Sequence, residues 1–163
     1  MPAHNGDRKS MDTKIDLTKL IHKGGVFEIE AKDSKDAFRK IADTICLPNN
    51  IQPDLVYKSL CERETVLTTA VGNGIALPHA RSPIFADENE QRVCVVYLKN
   101  PIDMKAPDSA PVNVMFVLLS HNNQTHLSIL TSLAVLFNNP KFKKALEIRA
   151  GEEKLAAIIR DLA

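Results

Sequence analysis

Two stretches of this sequence, Arg92 to Leu98 and Val112 to Leu119, are apolar almost without interruption and have the length of β-strands. A half-exposed strand alternates apolar with polar residues, whereas an unbroken apolar run needs cover on both faces. These runs are therefore expected to be the central strands of a sheet with helices on either side. The helices can be read nearby. Phe38, Ile41, Ala42 and Ile45 recur at helical spacing behind a capping Asp33 or Ser34. Pro53 opens a second helix that turns Leu55, Val56, Leu60 and Cys61 inward and carries Arg63 at or just past its last turn. Leu127, Leu130, Leu133, Ala134 and Phe137 form a stripe behind Ser120-His121-Asn122-Asn123. Shorter helices are expected around Leu17 to Ile21, ended by Gly24-Gly25, after Asn139-Pro140, and over Glu152 to Leu162. A strand near an end of the sheet is expected at about Val26 to Glu30, and the β-branched Thr65 to Val71 reads as extended. Such an interleaving predicts an α/β fold, a single-domain sandwich with a mixed β-sheet flanked by helices.

At 163 residues the chain fits one domain. Residues 1–14 are polar and cannot offset the cost of ordering by burial, so a flexible tail is expected there, with the domain over 15–163. No apolar run approaches the ~18 residues of a membrane span, and the N-terminus lacks the apolar core of a secretory signal. A cytoplasmic protein without direct membrane insertion is expected. Cys46, Cys61 and Cys94 have neither zinc-site nor redox-motif spacing and read as reduced thiols. The 21 basic and 20 acidic residues are well mixed, which gives nucleic acid no field to follow.

The stretch that carries chemistry is Gly72-Asn73-Gly74-Ile75-Ala76-Leu77-Pro78-His79-Ala80-Arg81. Its glycines allow a tight loop, and Ile75 to Leu77 suits a short buried strand that Pro78 must end. His79 is thereby left at a rigid strand end. A neutral imidazole there is a nucleophile or proton carrier, and a backbone carbonyl that took the N–H of one ring nitrogen would fix the other as the free one.

This stretch closely resembles the histidine motif of bacterial phosphotransferase-system IIA proteins of the fructose, mannitol and nitrogen-regulatory type. Leu60-Cys61-Glu62-Arg63-Glu64 is similar to the family's arginine segment, and Gln124-Thr125-His126-Leu127 to that of its second histidine. The resemblance covers about residues 15 to 162. Ala80 departs from the glycine of several relatives, but alanine is small and leaves the chemistry in place. The resemblance implies a phosphocarrier in which His79 accepts a phosphoryl group from a small phosphocarrier protein, HPr-like or its nitrogen-branch paralogue. His126 would stabilise the phosphoryl group and Arg63 would donate to its oxygens, a guanidinium fork being well matched to phosphate. Onward partners would be a IIB domain or regulatory target proteins. With no attached IIB or carrier domain, the nitrogen-regulatory type is taken first and the sugar-specific subunit is the alternative.

Other chemistries lack their motifs. His121 and His126 lie five apart, about 140° around a helix, and no His-Glu-x-x-His pattern exists, so no metal site is expected. There is no Gly-x-Ser-x-Gly elbow and no Gly-rich loop ending in Lys-Ser or Lys-Thr. No cofactor is implied, and phosphate is expected to arrive from another protein rather than from ATP. Ser82 to Glu90 reads as a surface connection, and the proline-bearing Asn100 to Pro111 as an irregular one flanking the site.

Overall fold

The computed structural model describes residues 15–162; the tail expected over 1–14 lies outside them. In chain order the elements are α1 (Leu17–Gly24), β1 (Val26–Ile29), α2 (Ser34–Thr44), α3 (Pro53–Val66), β2 (Ala70–Gly72), β3 (Ile75–Ala76), β4 (Arg92–Ile102), β5 (Val112–Leu119), α4 (Asn123–Phe137), α5 (Pro140–Glu147) and α6 (Glu152–Leu162). The strands form one five-stranded sheet in the order β1-β4-β5-β3-β2. β1 runs parallel to β4 and β3 parallel to β5, while β4/β5 and β2/β3 are antiparallel. The sheet is mixed, with β1 at one edge as expected.

The unbroken apolar runs are explained by cover on both faces. Cys94, Val96 and Leu98 of β4, with Met115, Val117 and Leu119 of β5, meet Phe38 and Ile41 of α2 and Val56 and Leu60 of α3. Their alternate neighbours Val93, Val95, Tyr97, Val114, Phe116 and Leu118 meet Ile21 of α1, Ile129 and Leu133 of α4, Phe142 of α5 and Leu155 of α6. Each such side chain taken fully out of water contributes roughly 1.5–3 kcal/mol, so the two cores on β4 and β5 fix the frame on which the remaining short strands hang. α1 lies so close to this frame that a Cβ on Gly24 would sit 2.1 Å from the Val93 carbonyl oxygen, which only glycine avoids.

Several local expectations are corrected. Of the stretch Thr65 to Val71, Thr65 and Val66 are helical, since α3 continues through Val66; Leu67 is extended and β2 begins at Ala70. Thr65 sits in the last turn with its Oγ1 donating back to Glu62 O. Leu55 is exposed, not inward, and in α4 the buried residues are Ile129, Leu133 and Leu136, with Leu127 exposed. Apolar side chains, among them exposed Leu127 and Val135, fall on several sides of α4, so sequence spacing alone did not select its buried face. β4 runs on through Pro101 to Ile102, and the connection after it folds away from His79: Asp108 accepts from the Asn73 N–H at 2.8 Å, at the opposite end of β3. Asn73-Gly74 is the two-residue turn of the β2–β3 hairpin, with φ of 56° and 79°.

Candidate functional site

β3 is short because Pro78 cannot donate to the ladder. Its line nevertheless continues beside β5: Leu118 N–H donates to Pro78 O at 2.9 Å, and His79 forms an isolated parallel bridge with Leu118. The central strand thus holds the backbone of His79. Its side chain is held by the chain's own carbonyl, Leu77 O, 2.8 Å from Nδ1. A carbonyl only accepts, so Nδ1 carries the proton and Nε2 keeps its lone pair. Nε2 has no hydrogen-bond partner among the described residues. The free nitrogen expected from the sequence is therefore Nε2.

His79, His126 and Arg63 line one open cleft of about 320 Å³ together with Ala80, Arg81, Ser82, Ser120 and Asn123. The structure brings all three expected side chains together. The rings of His79 and His126 stand 4.5 Å apart, centre to centre, at 47°. Asn122 caps α4 by accepting the Thr125 N–H at 2.7 Å, which fixes His126 one turn into the helix with its own N–H on Asn122 O. Those two amides are therefore committed within the cap, and only the first amides of the turn remain for an anion. Arg63 anchors through Nη1 to Leu67 O at 2.6 Å, and its other guanidinium N–H groups find no acceptor among the described residues. Ala80 has no positive φ, so alanine is accommodated there without backbone strain. His121 is engaged elsewhere, with Nδ1 toward Phe85 O and its N–H on Gln91 Oε1.

Electrostatics keep both imidazoles neutral. Burial holds the His79 pKa below its ordinary value, with Arg63 adding to the shift and the Leu77 carbonyl opposing it. Burial, then His79 and Arg63, push His126 down to about 4. A neutral ring retains both a lone pair and one N–H, so the pair can attack an electrophile and donate to it, while Arg63 supplies the charge. The cleft suits an oxyanion-bearing electrophile.

These depressed basicities make the fold sensitive to acid. As pH falls from about 6.5 towards 4, the unfolded chain binds protons that the folded imidazoles resist, so folding stability declines across that window. Solvent reaching the half-buried His126 limits its share to about 1 kcal/mol. Urea midpoints at pH 7 and pH 5 should therefore differ, and His126→Gln should shrink the difference; an unchanged difference would deny the ring's depressed basicity.

Sequence reasoning did not assign Arg81, Asn123 or the apolar rim. Val66, Leu67 and Leu127 are 60%, 67% and 64% exposed. Val66 and Leu67 line the cleft itself, and Leu127 is the next residue after His126. Their signal was misleading, since each reads as a core residue by type.

Residues 19–162 match the family described as "Phosphoenolpyruvate-dependent sugar phosphotransferase system, EIIA 2". A nitrogen regulatory protein of Escherichia coli (strain K12) is 27% identical, over 92% of this chain and 93% of its own length. One from Pseudomonas aeruginosa is 34% identical, over 66% of this chain and 69% of its own. The crystal structure of the nitrogen regulatory protein IIA-Ntr from Neisseria meningitidis superposes with a TM-score of 0.69 at 25% identity, covering 92% of this chain and 99% of that one.

Proposed function

The chain belongs to the type 2 EIIA family of the phosphoenolpyruvate-dependent sugar phosphotransferase system, and on that premise we propose that it is a cytoplasmic phosphocarrier of the nitrogen-regulatory type whose acceptor atom is Nε2 of His79. The observation that carries this reading is the hydrogen bond from Nδ1 to Leu77 O, which leaves Nε2 as the lone-pair nitrogen in a cleft shared with Arg63 and His126.

The donor is a small HPr-like phosphocarrier protein or its nitrogen-branch paralogue. A new bond forms between Nε2 and phosphorus while the bond from phosphorus to the donor nitrogen breaks, in line. His79 releases no proton, because Nδ1–H stays on Leu77 O; the donor ring leaves neutral when its second nitrogen is protonated. The phosphorylated His79 ring then carries positive charge, which the carbonyl accommodates and the neutral His126 does not oppose. His126 donates its N–H to a phosphoryl oxygen and does not itself accept the group. Arg63 turns its remaining N–H groups to the same oxygens. A protein donor fits the site's surroundings, since an open cleft lined by exposed Val66 and Leu67 offers apolar contact to a macromolecule.

The nitrogen-regulatory reading rests on relatives of that name along nearly the whole chain. Its alternative, a sugar-specific subunit that passes phosphate to a IIB domain, is favoured by the family's own description. Phosphorylated protein mixed with a fructose-type IIB domain is expected to keep its phosphate, as a reporter of phosphorylation state would. Rapid transfer to the IIB domain would turn the assignment to sugar uptake, and no uptake from any HPr-like carrier would remove the phosphocarrier role altogether.

A further inference from the structure

The two groups that the proposed transfer leans on share one support. Arg63 donates to Leu67 O, and His79 donates to Leu77 O, whose own N–H donates to Thr69 O at 2.9 Å. Leu67 and Thr69 belong to the same short linker between α3 and β2. That linker has little else to hold its ends: Leu67 is largely exposed, and β2 is three residues long with an irregular register against β3. Its middle residue, Thr68, is tied outward through Oγ1 to Met104 O. Thr69 is tied inward, to Glu64. One carboxylate takes both of its donors, Oε2 from the backbone N–H at 3.0 Å and Oε1 from the hydroxyl at 2.7 Å.

Thr69 is only 5% exposed, so releasing these donors would leave them poorly solvated. A carboxylate presents two acceptor oxygens from a single side chain, and here each takes one of the two Thr69 donors. Glu64 comes directly after Arg63 on α3, so the helix that presents the guanidinium also fixes its carbonyl anchor. The same tie fixes Thr69 O, which holds Leu77, which in turn sets the tautomer of His79.

From this geometry we infer that Glu64 is a positioning residue: by clamping Thr69 it fixes the Leu67–Thr69 linker, and through it both the reach of Arg63 and the Nδ1–H tautomer of His79. The inference rests on the reading of His79 as phosphoryl acceptor, but it can be tested without phosphate. Full-length protein with ¹⁵N-labelled histidine reports the His79 tautomer directly by NMR. In wild type, Nδ1–H is expected alone. In Glu64→Ala the Nε2–H form should appear beside it, and transfer from an HPr-like carrier should slow about tenfold. Glu64→Gln keeps an acceptor for one Thr69 donor and offers its amide to the hydroxyl oxygen, so it should restore the tautomer and most of the rate. Thr69→Val, which loses the hydroxyl bond but keeps the backbone one, should fall between and serves if Glu64→Ala does not fold.

Wild-type tautomer and rate in both Glu64→Ala and Thr69→Val would overturn the inference. So would a Glu64→Gln protein as slow as Glu64→Ala with its tautomer intact, because the carboxylate would then act through charge. Absence of any phosphoryl uptake by wild type would instead fault the acceptor assignment and leave the tautomer result standing.

Discussion

A His79→Ala protein is expected to take up no phosphoryl group from an HPr-like carrier, while wild type gains one that is lost in acid and stable in base. The expectation rests on how each imidazole among the described residues is committed. His22 is on the surface, its Nδ1 2.6 Å from a Glu152 carboxylate oxygen. His121 is turned to the Phe85 carbonyl. His126 shares the cleft, but its ring has no carbonyl among the described residues to hold a tautomer, and its basicity is strongly depressed. Among these, only His79 combines an N–H held on a carbonyl, a free lone pair and a cleft shared with a guanidinium and a second imidazole. The substitution should leave the fold intact, because Leu118 bonds the carbonyl of Pro78 and not the His79 ring. Intact-mass measurement after incubation with carrier checks both points; label persisting in His79→Ala would reassign the acceptor.

Nearly as large an effect is expected at the two groups beside it. Removing one donor to a developing charge commonly costs about 10² to 10³ in rate. His126→Ala should therefore slow transfer by that order while the label stays on His79. Arg63→Ala should act in the same direction and more strongly, because a guanidinium can place two N–H groups on phosphate oxygens. Arg63→Lys should recover only part of the loss, since an ammonium keeps the charge without the fork. Rates measured from carrier to His79 and back separate two roles. A group that stabilises only the bound phosphate hardly slows its departure when deleted, whereas one that stabilises the transition state slows both directions. Wild-type rates both ways in His126→Ala would reduce that residue to a surface histidine.

The centre of the fold was legible because β4 and β5 are covered on both faces, and burial on both faces writes an unbroken apolar run into the sequence. The site was legible for a different reason: Pro78 dictates where the strand stops, and the histidine directly after it is held in place. The extent of α3 was not legible. Thr65 and Val66 prefer extended backbone by type, yet α3 runs through both, with the Thr65 hydroxyl on Glu62 O and Glu64 bonded to Thr69 just past the helix end. The orientation of α4 was hidden by its own composition, since Leu127, Val135 and Ile129 look alike and only Ile129 is buried. The exposure of Leu127 and Leu67 has no signature in sequence, because by type each reads as a core residue. Glu64 was likewise unreadable, as its two bonds depend on α3 ending at Val66 and on Thr69 lying back against that end.

Phosphorus is expected to bond to Nε2 of His79 while Nδ1 keeps its proton on Leu77 O. Phosphorus–nitrogen coupling measured by NMR on the phosphorylated, ¹⁵N-histidine protein tests it directly. Coupling is expected to the His79 Nε2 resonance, with Nδ1 still protonated. Coupling to His79 Nδ1, or to either nitrogen of His126, would contradict it.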